Sequence, residues 1–376
     1  MLSLYIHIPY CLRRCGYCDF NTYTPSELSL TDGIPVISKS YCDLLIDEMN
    51  LYSYEGPVST IFFGGGTPSL MEPSDIGRVL DSAKERFGFT SDVEITLEAN
   101  PDTVDLNKLT ALRKAGINRI SFGMQSAVPH VLAVLDRTHK PENVEMAVLA
   151  AREAGFTEIS LDLIYGTPGE SMDDWKMSLE SALALPITHL SAYALIVEEG
   201  TKLNAMVRRG EVTMPDDDET ADKYLIIDEY ASKKGMRWYE LSNWSLPGSE
   251  CRHNVAYWQN KNWLGLGPGA HSHLDGRRFW NVKHPNTYRM KLESMIVPVE
   301  DSEIVNEEER EEERLLLGIR LPEGIARETI SDSVALHLES YLTSGALDPE
   351  AWSSGRISLT PTGRLIADRI VREMSL

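Results

Sequence analysis

The chain has 376 residues, and 57 Asp and Glu against 36 Lys and Arg give it a formal net charge of −21. A field of that sign opposes nucleic-acid binding, and five cysteines are too few, and odd in number, for a disulfide framework. The length suggests one large domain and a smaller one, divided here into residues 1–235 and 236–376.

The opening LSLYIHIP is strand-like and has no charged leader with an apolar core and cleavage site. The longest charge-free stretch, residues 181–197, contains Pro186 and His189 and reads as a helix end followed by a strand, so no membrane span is expected. The expected location is the reducing cytoplasm, with peripheral membrane contact left open.

After the first strand comes a cysteine loop, then a helix over residues 39–52. STIFF is a strand running into GGGTPS, and SDIGRVLDSAKERF puts Ile76, Val79, Leu80 and Ala83 on one helical face. DVEITLE alternates apolar and acidic positions, RISFGMQ is the next strand, and a helix spans 141–154. EISLDLIYG, the helix DDWKMSLESALAL and HLSAYALIV complete the series. Six strand-then-helix units imply parallel strands with right-handed crossovers, hence an α/β fold, a partial (β/α)6 barrel. Glu98, Gln125, Asp162 and Tyr193 fall at or near the C-terminal ends of their strands, where such barrels build their sites.

Beyond residue 235 the pattern changes. A Trp- and Tyr-rich stretch is followed by the Gly-rich NWLGLGPGAHSH, and EIVNEEEREEERLLLGIRL reads as a solvated helix with one apolar face. GRISLTPTGRLIADRIVREM reads as a strand, a turn and a closing helix. The second part is thus a smaller α+β domain ending in a winged-helix-like module, which the net charge assigns to packing and not to DNA.

Cys11, Cys15 and Cys18 fall within eight residues, a spacing that suits one metal centre. Cys42 and Cys251 read as small buried residues. Zinc requires a fourth Cys or His at finger-like spacing, and none follows closely after Cys18. An iron–sulfur cluster is the favoured reading and zinc the alternative.

The loop CLRRCGYC directly after the first strand, with GGGTP after the second, resembles the radical S-adenosylmethionine (SAM) superfamily. That resemblance implies three thiolates on three irons of a [4Fe–4S] cluster, with SAM chelating the fourth. The glycines, lacking Cβ, let the backbone approach the ligand. LYIHIPYC, LEANP, RISFGMQS, LDLIYGTPGE and HNVAYW extend the similarity to the coproporphyrinogen oxidase-like branch. Position by position, it implies that Tyr5, Gly65 and Glu98 contact the cluster-bound SAM. Tyr17, Gly66, Thr67, Gln125, Arg137, Asp162 and Ala194 match contacts to a second SAM in the dehydrogenase of that branch.

Two features depart from that dehydrogenase. Phe20 stands where it has a further cysteine, and Met1 lies only four residues before Tyr5, where it has a long extension. Both features, with HNVAYW, resemble instead the haem chaperones of the branch. The implied function is binding haem and passing it to an acceptor protein. The alternatives are oxidative decarboxylation of coproporphyrinogen III and radical chemistry on another substrate. In HNVAYW, His253 is the expected haem ligand and Tyr257 and Trp258 offer apolar faces, while a packed aromatic loop explains the same residues. His271, His273 and a thiolate at Cys251 are the weaker ligand candidates.

Overall fold

The computed structural model describes residues 1–28 and 39–374. The first six units follow the expected order: β1 (Leu2–Ile8), α1 (Lys39–Asn50), β2 (Val58–Gly65), α2 (Pro73–Phe87), β3 (Phe89–Ala99), α3 (Leu106–Ala115) and β4 (Arg119–Gln125). Then come α4 (Pro129–Val134), α5 (Pro141–Glu153), β5 (Glu158–Tyr165), α6 (Met172–Ala184) and β6 (His189–Ala194). Strands β1 to β6 pair in sequence, all parallel.

The apolar face predicted for α2 is buried, with Ile76, Val79, Leu80 and Ala83 against the sheet core. On β3, Ile95 and Leu97 face that same core, yet Glu94 and Thr96, which alternate with them, are buried too. Their side chains alternate onto the opposite face, the barrel interior. Helix α6 starts at a reciprocal cap between Ser171 and Asp174 and stops before Pro186.

The chain then adds α7 (Lys202–Arg208), α8 (Asp217–Ser232), β7 (Arg237–Glu240), β8 (Asn243–Ser245), α9 (Arg252–Trp258), β9 (Trp263–Leu266), β10 (His271–Leu274) and β11 (Arg277–Asn281). It continues with α10 (Pro285–Glu293), β12 (Val299–Ile304) and α11 (Glu307–Gly318). β8 pairs antiparallel with β6, while β9 pairs parallel with β1 through Ser3↔Trp263 to Ile6↔Leu266. Among the described residues the result is one sheet of 12 strands, in which the C-terminal segment extends both edges of the six-stranded core.

The last module holds β13 (Ile325–Ala326), α12 (Asp332–Thr343), α13 (Pro349–Ser353), β14 (Arg356–Ile357), α14 (Pro361–Leu365) and α15 (Ala367–Met374). The antiparallel pair β13–β14 and the helices enclose a separate core around Ile319, Leu338, Ile357 and Ile370. Among the described residues, no helix is long and apolar enough to cross a membrane.

Candidate cofactor site

A cavity of about 580 Å³ opens at the C-terminal ends of β1 to β6, within the size range of small-molecule sites. Its wall follows the two-residue period of the strands. Thr96 and Glu98 come from β3; Arg119, Ser121, Gly123 and Gln125 from β4; Ser160, Asp162 and Ile164 from β5; His189, Ser191 and Tyr193 from β6. The cysteine loop roofs it with Cys11, Cys15, Tyr17 and Cys18, and Ala194 lines the wall after Tyr193.

The GGGTP run passes close beneath the chain that leads into Cys11. Gly66 N donates to Ile8 O at 2.7 Å and Thr67 N to Tyr10 O at 2.8 Å. A Cβ on Gly66 would lie 2.6 Å from Tyr10 O and 2.8 Å from Ile8 O, so no larger residue fits there. Gly65 has φ +109°, and a Cβ there would meet the His7 ring at 2.5 Å. Its N–H donates to Glu98 Oε2 at 3.2 Å. Tyr5 does not line the cavity; its hydroxyl contacts His7 Nδ1 at 3.0 Å, behind the Gly64–Gly65 turn.

Two donors reach the thiols: Thr67 Oγ1 to Cys11 Sγ at 3.5 Å, and Arg137 Nη1 to Cys15 Sγ at 3.4 Å. The same guanidinium donates to Asn100 Oδ1 at 2.9 Å and Gly123 O at 3.1 Å, which fixes its plane. Burial pushes the Cys18 thiol up to about 11 and also raises Cys11. Without a metal these sulfurs stay protonated at neutral pH, and binding iron displaces the protons. Three thiols on one roof suit a cluster, each taking a different iron.

Gln125 ends β4 at a register shift and takes φ +62°, unusual for a side-chain-bearing residue. Segment 135–137 also grips the cysteine loop. Gly16 N donates to Leu135 O at 3.3 Å, Asp136 pairs with Arg13, and Lys202 Nζ reaches Asp136 Oδ2 at 2.9 Å.

Two carboxyl groups share the cavity. Burial, then the nearby Asp162 charge, pushes Glu98 up to about 8, opposed by the Gly65 N–H. Burial raises Asp162 as well, although Ser121 Oγ donates to both its oxygens at 2.9 and 2.8 Å. Buried carboxyls of this kind suit a ligand that brings positive charge, as the ammonium and sulfonium of SAM do. The donor set, the glycine cradle and the acid pair therefore fit a cluster with SAM.

His253 is not part of this wall. It is fully buried on α9, with Nδ1 at 2.8 Å from Thr60 Oγ1 and Nε2 at 2.9 Å from Tyr257 Oη. Its ring stacks on Phe62 at 5.2 Å, and its backbone N–H donates to Glu94 at 3.0 Å. Both ring nitrogens are hydrogen-bonded, which holds the ring between β2, β3 and α9. Cys251 is also buried, its thiol 3.7 Å from Glu94 Oε1. Of the weaker candidates, His273 is buried and His271 is exposed.

Sequence reasoning missed Arg119, Ser121, Ser160, His189 and Ser191 in the wall. The available signal was polar spacing at every second position of three consecutive strands.

Parallel strands, a CxxxCxxC roof and a glycine cradle together define a radical SAM protein, and residues 5–182 match the model of the Radical SAM superfamily. The likeness to known chains is closer than superfamily level. The haem chaperone HemW of Mycobacterium tuberculosis is 43% identical over 99% of this chain and 94% of that protein. HemW of Bacillus subtilis is 34% identical over 98% of each. This chain belongs to the HemW family. In fold it also resembles the solved coproporphyrinogen III oxidase HemN of Escherichia coli, a radical SAM enzyme, with TM-score 0.81 and 21% identity over 100% of this chain and 90% of that one.

Proposed function

We propose that this chain is a haem chaperone, which binds haem and hands it to an acceptor protein while carrying a [4Fe–4S] cluster with exchangeable SAM. The observation that carries the reading is the end-to-end similarity to HemW chaperones, over 99% of the chain at 43% identity. Cys11, Cys15 and Cys18 hold the cluster, and when bound the cluster and SAM supply one-electron chemistry at the cavity roof. Gly65 and Glu98, with Tyr5 bracing the turn behind them, receive the cluster-bound SAM. Tyr17, Gly66, Thr67, Gln125, Arg137, Asp162 and Ala194 supply the remaining SAM contacts. Phe20 supports the chaperone over the decarboxylase. Its ring lies 63% exposed at the cavity rim, where the dehydrogenase resemblance calls for a thiol.

The discriminating assay supplies reconstituted protein with SAM, a low-potential reductant and coproporphyrinogen III under anaerobiosis, with porphyrins resolved by chromatography. The expected outcome is no multiple-turnover formation of protoporphyrinogen. Turnover that disappears in Cys15→Ala would replace the chaperone by the enzyme.

A further inference from the structure

The cysteine loop leaves β1 after Ile8 and folds back on its own entry. Tyr23 N donates to Pro9 O at 2.6 Å and Cys11 N to Tyr23 O at 3.0 Å, so residues 9–23 close on themselves. Gly66 and Thr67 hold the start of this loop and Leu135 its middle. The exit, from Cys18 to Tyr23, rests on Asn21.

Asn21 bonds through its backbone and its side chain. Its carbonyl meets His7 Nε2 at 2.9 Å, and the other nitrogen of that ring faces Tyr5 Oη. Its Nδ2 donates to Pro268 O at 3.0 Å and to Lys283 O at 2.9 Å, which uses both protons of the amide on main-chain carbonyls. Tyr23 Oη lies 3.2 Å from Asn21 Oδ1 and 3.2 Å from Lys283 O. A Cβ at Gly269 would lie 2.5 Å from Asn21 Nδ2, so the two segments are in close contact.

The two acceptors lie 247 and 262 positions along the chain from Asn21, yet they are held ready for it. Pro268 belongs to the β9–β10 turn and Lys283 to the β11–α10 turn, and these turns are fastened to each other. Gly269 N donates to Val282 O at 3.0 Å, Asn281 N to Ala270 O at 2.9 Å, and Asn281 Nδ2 to Gly267 O at 2.9 Å.

The residue before Asn21 touches a cluster ligand. The backbone N–H of Phe20 is directed at the Cys18 thiol and favours its ionised form, against the burial that pushes it up. A donor to a ligating sulfur stabilises the negative charge added on reduction, so it is one of the factors that set a cluster's potential. Asn21 stands one peptide unit beyond that donor, and what fixes Asn21 fixes the direction of the N–H.

We propose that Asn21 is a positioning residue of the cofactor site: its amide joins the exit of the cysteine loop to the β9–β10 and β11–α10 turns and so aims Phe20 N–H at Cys18 Sγ. The inference rests on the [4Fe–4S] reading and extends it. Support for the third cysteine comes from the C-terminal segment, outside the residues 5–182 that match the superfamily.

The test compares the full-length parent with Asn21→Ala, Asn21→Asp and Asn118→Ala, each reconstituted under anaerobiosis. The readouts are the midpoint potential, followed by electron paramagnetic resonance, and the rate of iron loss to a chelator, with circular dichroism as the control of folding. Asn118 is the comparison because its Nδ2 also donates to main chain, to Val93 O at 2.8 Å, but between β3 and the start of β4. In Asn21→Ala the potential is expected to fall and iron to leave severalfold faster. Asn21→Asp, although closer in shape, should exceed it, because a carboxylate has no donor for the two carbonyls and repels them. Asn118→Ala should lower the melting temperature and leave the potential unmoved. Should Asn21→Asp fail to fold, Asn21→Ala against Asn118→Ala decides. A parent-like potential and chelation rate in Asn21→Ala, a folded Asp variant no worse than Ala, or an equal shift in Asn118→Ala would each overturn the proposal and leave the cluster reading standing. A parent chain that takes up no cluster would overturn both.

Discussion

Burial pushes the Glu98 carboxyl up to about 8, and the nearby Asp162 charge adds to the effect. In the unfolded chain the same group titrates near 4.5. Between those values the folded, ligand-free protein holds a proton that the unfolded chain has released. Its contribution to stability is therefore complete at acid pH and is lost as pH rises towards about 8. A cationic ligand reverses the preference, because it favours the ionised carboxylate. SAM affinity should accordingly rise with pH up to about 8, with proton release on binding. Glu98→Gln, which keeps an acceptor for Gly65 N–H, should flatten both the decline in melting temperature and the rise in affinity. Calorimetry in two buffers of different ionisation enthalpy measures the proton; a parent chain that releases none would remove Glu98 from the ligand contact.

The cysteine triad and its glycine partner were legible because their chemistry is encoded in local spacing. The surroundings of His253 were not. They depend on Thr60, 193 positions away, and on Glu94, 159 positions away, which take up its ring and backbone donors. A motif shows that a histidine is present, but not which groups surround it in the fold.

At the scale of elements, the six strand–helix units were legible because each has its own period and its own turn residues. The strands β7 to β12 were not, as β9 and β12 illustrate. β9 lies in a Gly-rich run of four residues, and its pairing with β1 spans most of the chain. β12 reads VEDSEI, with charges that hide any alternation and an almost wholly exposed strand. It forms as the sheet's outer edge, where charged side chains are tolerated and discourage further pairing.

The junction of β2 with the segment after β1 makes a sharp expectation. Gly66→Ala places a methyl against Tyr10 O and Ile8 O, both backbone atoms immediately before Cys11. The loop must move as a unit, so iron retention after reconstitution should fall at least severalfold and melting temperature should drop. Gly77→Ala on α2 is the control, since its Cβ would find only Ala115 at 3.9 Å. Equal iron content in the Gly66 and Gly77 variants would show that the roof does not depend on this contact.

Across the whole molecule, the C-terminal segment closes the first half instead of standing beside it. Glu48 on α1, fully buried, accepts from Gly267 N at 2.7 Å, Asn281 Nδ2 at 2.6 Å and Tyr288 Oη at 2.6 Å. Those three partners come from the β9–β10 turn, β11 and α10, so one carboxyl ties helix α1 to the segment that carries His271. We propose that the division near residue 235 separates two chain segments that share this sheet.

The most direct measurement is a haem titration of the reconstituted protein under anaerobiosis, with and without SAM, followed by mixing the loaded protein with a haem-free acceptor. The account predicts one haem per chain, dissociation in the low-micromolar range or tighter (about −8 kcal/mol at 1 μM), and a Soret band that moves to the acceptor. No saturable haem binding in the cluster-bearing protein would contradict the account.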